Sequence, residues 1–114
     1  MNAKQEILTA VGIIIPEDTK VPLEKSPHIK CATIERDSGG HFYNVNLKVD
    51  WTDEEFKTFL DQMDFEYDSG YGVQELFGII WLTDGTWLER SEYDGSEWWS
   101  HKSLPKIPDY LIKK

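Results

Sequence analysis

The sequence predicts an α+β domain of order (α)ββαβββ, with an antiparallel sheet of about five strands and one amphipathic helix packed on it. Three observations carry this expectation. Residues 41–51, HFYNVNLKVDW, alternate apolar and polar side chains with period two. Residues 52–64, TDEEFKTFLDQMD, place Phe56, Phe59, Leu60 and Met63 at i, i+3, i+4 and i+7, which makes one apolar stripe on a helix. Two Asp-Gly pairs, at 84–85 and 94–95, divide the last third into apolar runs, as tight hairpin turns do.

The 114 residues fit a single domain, 1–114. Residues 1–26 read as a short helix over 2–14, capped by Asn2, followed by a connector punctuated by Pro16 and Pro22. Ala3, Ile7, Ala10, Val11 and Ile14 share one face of that helix. Residues 27–51 read as a hairpin turning at Ser38-Gly39-Gly40. Its second strand sets Tyr43, Val45, Leu47, Val49 and Trp51 on the apolar face. Residues 52–64 form the main helix. Thr52 is the N-cap, Glu55 completes a capping box, and Trp51 with Phe56 forms a hydrophobic staple.

Residues 74–101 read as a three-stranded meander. Its first strand is apolar on both faces at Ile79-Ile80-Trp81-Leu82, so both faces are expected to be covered. A two-residue turn at Asp84-Gly85 sets Trp81 opposite Leu88 and Ile79 opposite Arg90. The same turn at Asp94-Gly95 sets Trp98 opposite Ser91 and Trp99 opposite Arg90. Alternation then sends Trp98 and Trp99 to opposite faces, and puts Arg90 within cation–π reach of Trp99. Residues 102–114 read as an extended basic tail, barred from a central strand by Pro105 and Pro108 and anchored on the surface by Leu104, Ile107 and Leu111.

Charge narrows the function classes. The formal net charge is −9, concentrated in residues 51–97, where 13 acids stand against Lys57 and Arg90. Direct binding to a phosphate backbone is disfavoured, since that contact depends on Lys and Arg, and a basic protein partner is favoured. The candidate acidic face is Asp53, Glu54, Asp61, Asp64, Glu66 and Asp68. The candidate aromatic-acidic patch is Arg90, Tyr93, Asp94, Glu97, Trp98 and Trp99, because Trp, Tyr and Arg dominate protein interfaces. Cys31 is the one cysteine. It excludes a disulfide framework and a thiolate zinc site, and reads as a small buried residue. His28, His41 and His101 match no metal-ligand spacing, the glycine turns match no phosphate loop, and no nucleophile motif orders a catalytic set. No catalytic residue, metal or cofactor is therefore expected. The N-terminal apolar run lacks a basic flank and is too short to span a bilayer, so the chain reads as cytoplasmic.

The run Asp84-Gly85-Thr86-Trp87, Arg90, Glu92-Tyr93-Asp94-Gly95, Glu97-Trp98-Trp99, Pro105, Ile107-Pro108 resembles the C-terminal part of small uncharacterised proteins of bacteriophages and mobile elements. The resemblance implies a phage-type origin, hence the host cytoplasm, and no particular activity. The leading expectation is an acidic interaction protein, an inhibitor or DNA mimic docking on a basic host protein. The alternatives are binding of a small ligand or glycan on the Trp/Tyr patch, and a structural or assembly role. The oligomeric state is left open.

Overall fold

The computed structural model describes residues 2–14, 28–38, 40–67, 73–105 and 107–112. It has α1 (Ala3–Ile14), β1 (Ile29–Ser38), β2 (His41–Leu47), α2 (Asp53–Gln62), β3 (Leu76–Leu82), β4 (Trp87–Tyr93), β5 (Ser96–Lys102) and a 3-10 turn (Asp109–Leu111). The fold is α+β, and every strand pair is antiparallel, in the order β2-β1-β3-β4-β5. The hairpin therefore joins the meander through β1, not β2. The connector expected before β1 lies outside the described residues.

Local signals account for the helices. Asn2 caps α1 by accepting a hydrogen bond from the Gln5 amide at 2.9 Å. Thr52 and Glu55 exchange the two capping-box bonds at 3.2 Å each, which satisfies donors that a helix start leaves unpaired. The Trp51 ring stacks on Phe56 at 4.8 Å and its Nε1 donates to the Ile29 carbonyl at 3.1 Å. The staple thus sets the entry angle of α2 and also ties it to β1.

Both helices pack on one face of the sheet. Ala3, Ile7, Leu8 and Val11 of α1 and Phe56, Phe59 and Leu60 of α2 join Ala32, Ile34, Val45, Leu47, Leu76, Ile80, Leu82 and Leu88 in one buried cluster. Following the pairing across the strands puts all these sheet residues on the same face. The opposite face carries Thr33, Ile79, Trp81, Trp87 and Trp98, and none of these is fully buried.

The two Asp-Gly turns differ. At 94–95 both residues have positive φ, 52° and 87°, and Tyr93 pairs with Ser96. This is the two-residue turn the sequence predicts, and Trp98 falls opposite Ser91 and Trp99 opposite Arg90. At 84–85 the loop has three residues. The Leu82 amide donates to the Thr86 carbonyl at 2.9 Å, and only Gly85 is left-handed, at 88°. The Asp84 carboxylate accepts from the Thr86 amide and hydroxyl, at 2.9 and 2.5 Å. These bonds hold its carboxyl below the usual range and close the turn around Thr86. The register therefore moves by one residue: Trp81 pairs with Trp87, Ile80 with Leu88 and Ile79 with Glu89. A one-residue slip exchanges faces, so Trp81 leaves the core side.

Other expectations are corrected too. The second face of β3 is not closed over: Phe77 is 37% and Trp81 38% exposed. Cys31 is only half-buried, because it alternates with buried Ala32 and pairs with Trp81 on that open face. β2 ends at Leu47, and the chain turns at Val49 and Asp50, with φ of 58° at Asp50, so Val49 is exposed. Tyr43, near the outer end of an edge strand, is exposed as well. The tail is not anchored: Leu104, Ile107 and Leu111 are 79%, 61% and 64% exposed.

Gly78 holds the centre together. It pairs with Ile34 at φ 142°, and a Cβ built on it would stand 2.2 Å from the Thr33 carbonyl oxygen. No real Cβ approaches backbone that closely, so β1 and β3 must separate to admit a side chain. Gly78→Ala is expected to lower stability by about 3 kcal/mol or more, the range of strained or overpacked core sites. Urea unfolding of both proteins checks this.

Candidate functional site

The structure divides the aromatic-acidic patch between two environments. Tyr93, Asp94 and Trp98 are exposed. Arg90, Glu97 and Trp99 are interior and cannot meet a partner: the Arg90 and Glu97 side chains have no exposed surface, and Trp99 is 8% exposed. Alternation is the cause, since Arg90, Glu97 and Trp99 fall on the helix-covered face of β4 and β5.

These buried groups form a cluster around Arg90. Its Nε and Nη2 donate to Glu97 Oε1 at 3.0 and 2.7 Å, and Nη1 donates to Glu6 Oε1 at 2.8 Å. Nη2 also donates to the Tyr67 hydroxyl at 2.5 Å, and that hydroxyl donates to Glu6. Glu97 accepts the amides of Glu75 at 2.7 Å and Leu76 at 3.0 Å. The guanidinium lies 5.1 Å from the Trp99 ring and 5.5 Å from the Tyr67 ring. Trp99 Nε1 is buried with no hydrogen-bond partner among the described residues. Burial alone would favour loss of the Arg90 proton, but Glu97 and Glu6 outweigh it and raise the pKa. Burial, then the bond to Glu6, pushes the Tyr67 phenol well above its ordinary value, against a weaker pull from Arg90. The cluster ties α1, β3, β4, β5 and the segment after α2 together. Sealed from solvent at Arg90 and Glu97, it acts as a structural joint and offers no reacting face.

Sequence reasoning missed Glu6, Tyr67 and Glu75. A signal existed for Glu6, which sits three residues after Ala3 and four before Ala10, inside the apolar stripe of α1. A carboxylate there needs a cationic partner.

The outward surface is where binding chemistry lies. Asp53, Glu54, Asp61, Asp64 and Glu66 are all exposed on or just after α2, and Asp64 accepts a bond from Asn2 at 2.9 Å. Asp68 lies outside the described residues. On the other side of the sheet the pairings set Phe77, Trp81, Trp87 and Trp98 among Glu35 and Glu89. Trp98 is 42% exposed, and Glu89 accepts a bond from Trp87 Nε1 at 2.8 Å. Two concavities also follow β2, where α2 overhangs the free edge. One, of about 440 Å³, lies between Asn46, Lys48, Glu54, Glu55 and Thr58. The other, of about 450 Å³, lies between Arg36, Phe42, Tyr43, Asn44, Met63 and Phe65. Gln62 lines both. Arg36 is matched by Glu75 at 3.2 Å and lies 3.6 Å over the Phe65 ring. No helix of the described residues is long and apolar enough to cross a membrane.

No family model, curated protein or solved structure matches this chain.

Two outcomes follow from the cluster. Arg90→Met leaves two carboxylates without their cation and is expected to cost about 3–5 kcal/mol, read from the denaturation midpoint. Tyr67 is raised above its unfolded value of 10.0, so above that pH the unfolded chain releases a proton that the native state keeps. The stability contributed by Tyr67 is therefore full below about pH 10 and lost as pH rises beyond it. Tyr67→Phe is expected to flatten the alkaline fall in stability by up to about 1.4 kcal/mol per pH unit, measured by unfolding between about pH 8 and 11.

Proposed function

We propose that this protein is a non-catalytic interaction protein that holds a basic segment of another protein against its open sheet face. One observation carries the reading: a face of the sheet that the helices leave uncovered presents Phe77, Trp81, Trp87 and Trp98 with Glu35 and Glu89 set between them. Exposed apolar patches rimmed by polar groups mark interaction sites. A guanidinium or ammonium group can lie over an indole there and be paired by a neighbouring carboxylate, which favours Arg- and Lys-bearing partners. Tyr93 and Asp94 at the β4–β5 turn extend the same surface.

Asp53, Glu54 and Asp61 belong to the helix layer, on the other side of the molecule. They act at longer range, by raising the negative field that draws a basic partner in. A protein so charged competes with phosphates for Lys and Arg, which supports an inhibitor or DNA mimic of a nucleic-acid-binding protein. The phage-type resemblance fits that role.

The probe is a labelled Arg-rich peptide, followed by fluorescence anisotropy at several salt concentrations. Trp81→Ser with Trp98→Ser is expected to weaken binding at least tenfold at every salt concentration. Asp53→Lys with Asp61→Lys is expected to weaken it mainly at low salt, where long-range charge is least screened. Equal binding by the double Trp variant and the parent would remove the open face from the mechanism.

A further inference from the structure

The C-terminal tail and the cleft along β2 are complementary, and they stand at opposite edges of the sheet. The tail leaves β5 with Leu104, Ile107 and Leu111 exposed. Its sequence Leu104-Pro105-Lys106-Ile107-Pro108 is a P-x-x-P segment. Pro108 has φ −63° and ψ 149°, the geometry of a polyproline II helix. Such a segment is stiff before it binds, so docking costs it little conformational entropy. The Pro108 carbonyl accepts from the Leu111 amide at 2.9 Å, where the 3-10 turn begins, and the usual partners of a polyproline II segment are aromatic clefts.

The β2 cleft is of that kind. Tyr43 and Phe65 give aromatic walls, and the Gln62 amide is a donor beside them. The adjoining hollow carries Glu54 and Glu55 against Lys48, a net negative floor. The tail brings Lys102, Lys106, Lys113 and Lys114 against the single acid Asp109. Apolar walls thus meet prolines and aliphatic side chains, and carboxylates meet ammonium groups. Within one chain the two features do not meet, since the tail residues stay exposed. β5 and β2 are the two outer strands of five, about 19 Å apart at ordinary strand spacing.

We infer that the β2–α2 cleft binds the C-terminal tail of a second copy of this chain, so that two copies exchange tails reciprocally. Strand addition to the β2 edge is not the mode. Pro105 and Pro108 are three residues apart, so one of them would always turn a missing N–H toward the edge. The exchange is independent of the open-face reading, because the tail and cleft include none of Phe77, Trp81, Trp87 or Trp98.

Light scattering of the full chain over a wide concentration range tests this. The parent is expected to pass from monomer to dimer. Leu104→Ser with Ile107→Ser, and separately Phe42→Ser with Tyr43→Ser, are each expected to raise the dimer dissociation constant at least tenfold. All four side chains are exposed, so both variants should keep the parent's circular dichroism and melting temperature at monomeric concentrations. Mixing the two variants is expected to restore partial dimer, because one intact tail then faces one intact cleft. A parent that stays monomeric, a dimer that survives the tail substitutions, a dimer lost only with Trp98→Ser, or a mixture that fails to recover would each overturn the inference.

Discussion

Arg90 is the charge around which the rest of the molecule is arranged. A guanidinium withdrawn from water costs several kcal/mol unless its donors are met. Here Glu97 and Glu6 meet it, from β5 and from α1. Neither carboxylate could be buried without the cation, and the cation could not be buried without both helix and sheet in place. Glu97 in turn accepts the two amides where the chain enters β3. One ionic group therefore fixes the position of α1 over the sheet and the start of β3. The apolar cluster supplies bulk stabilisation, but apolar contacts are non-directional. The Arg90 cluster supplies direction.

That joint also decides which side of the protein is available to others. With both helices drawn to one face, no described helix or strand covers the other face of the sheet. The chain then has three outward surfaces of different character: an acidic helix layer, an aromatic sheet face, and the cleft where α2 overhangs β2. Among the described residues the first two are negative or apolar, and the sequence makes the tail basic, with Lys102, Lys106, Lys113 and Lys114 against Asp109.

Much of this was written locally in the chain. The staple and capping box of α2 need only residues 51–56, and the pairing of Trp99 with Arg90 needs only the type of turn at Asp94-Gly95. The register at Asp84-Gly85 was not legible from the dipeptide alone. It depends on Thr86, whose hydroxyl and amide both reach the Asp84 carboxylate, whereas Ser96 after the second turn leaves Asp94 in the left-handed region. The open face was half legible. The apolar run at 79–82 announced two apolar faces, but nothing local says that both helices choose the same one. The Arg90 cluster was least legible, because Glu6, Tyr67, Arg90 and Glu97 come from four separate stretches. Only the misplaced carboxylate in the α1 stripe hinted at it.

Gly78 has a consequence for how the chain reaches this structure. The β1–β2 and β4–β5 hairpins close short loops and can form early. The β1–β3 pairing closes a loop of roughly 40 residues, and such non-local contacts carry the largest chain-entropy cost and set the pace of folding. At that seam only a hydrogen fits against the Thr33 carbonyl. A pairing slipped by one residue would bring Phe77 or Ile79 to that spot and be repelled. The slowest union in the molecule is thus also the one in which a wrong alignment is rejected on contact, so a misjoined sheet has no shallow minimum in which to linger.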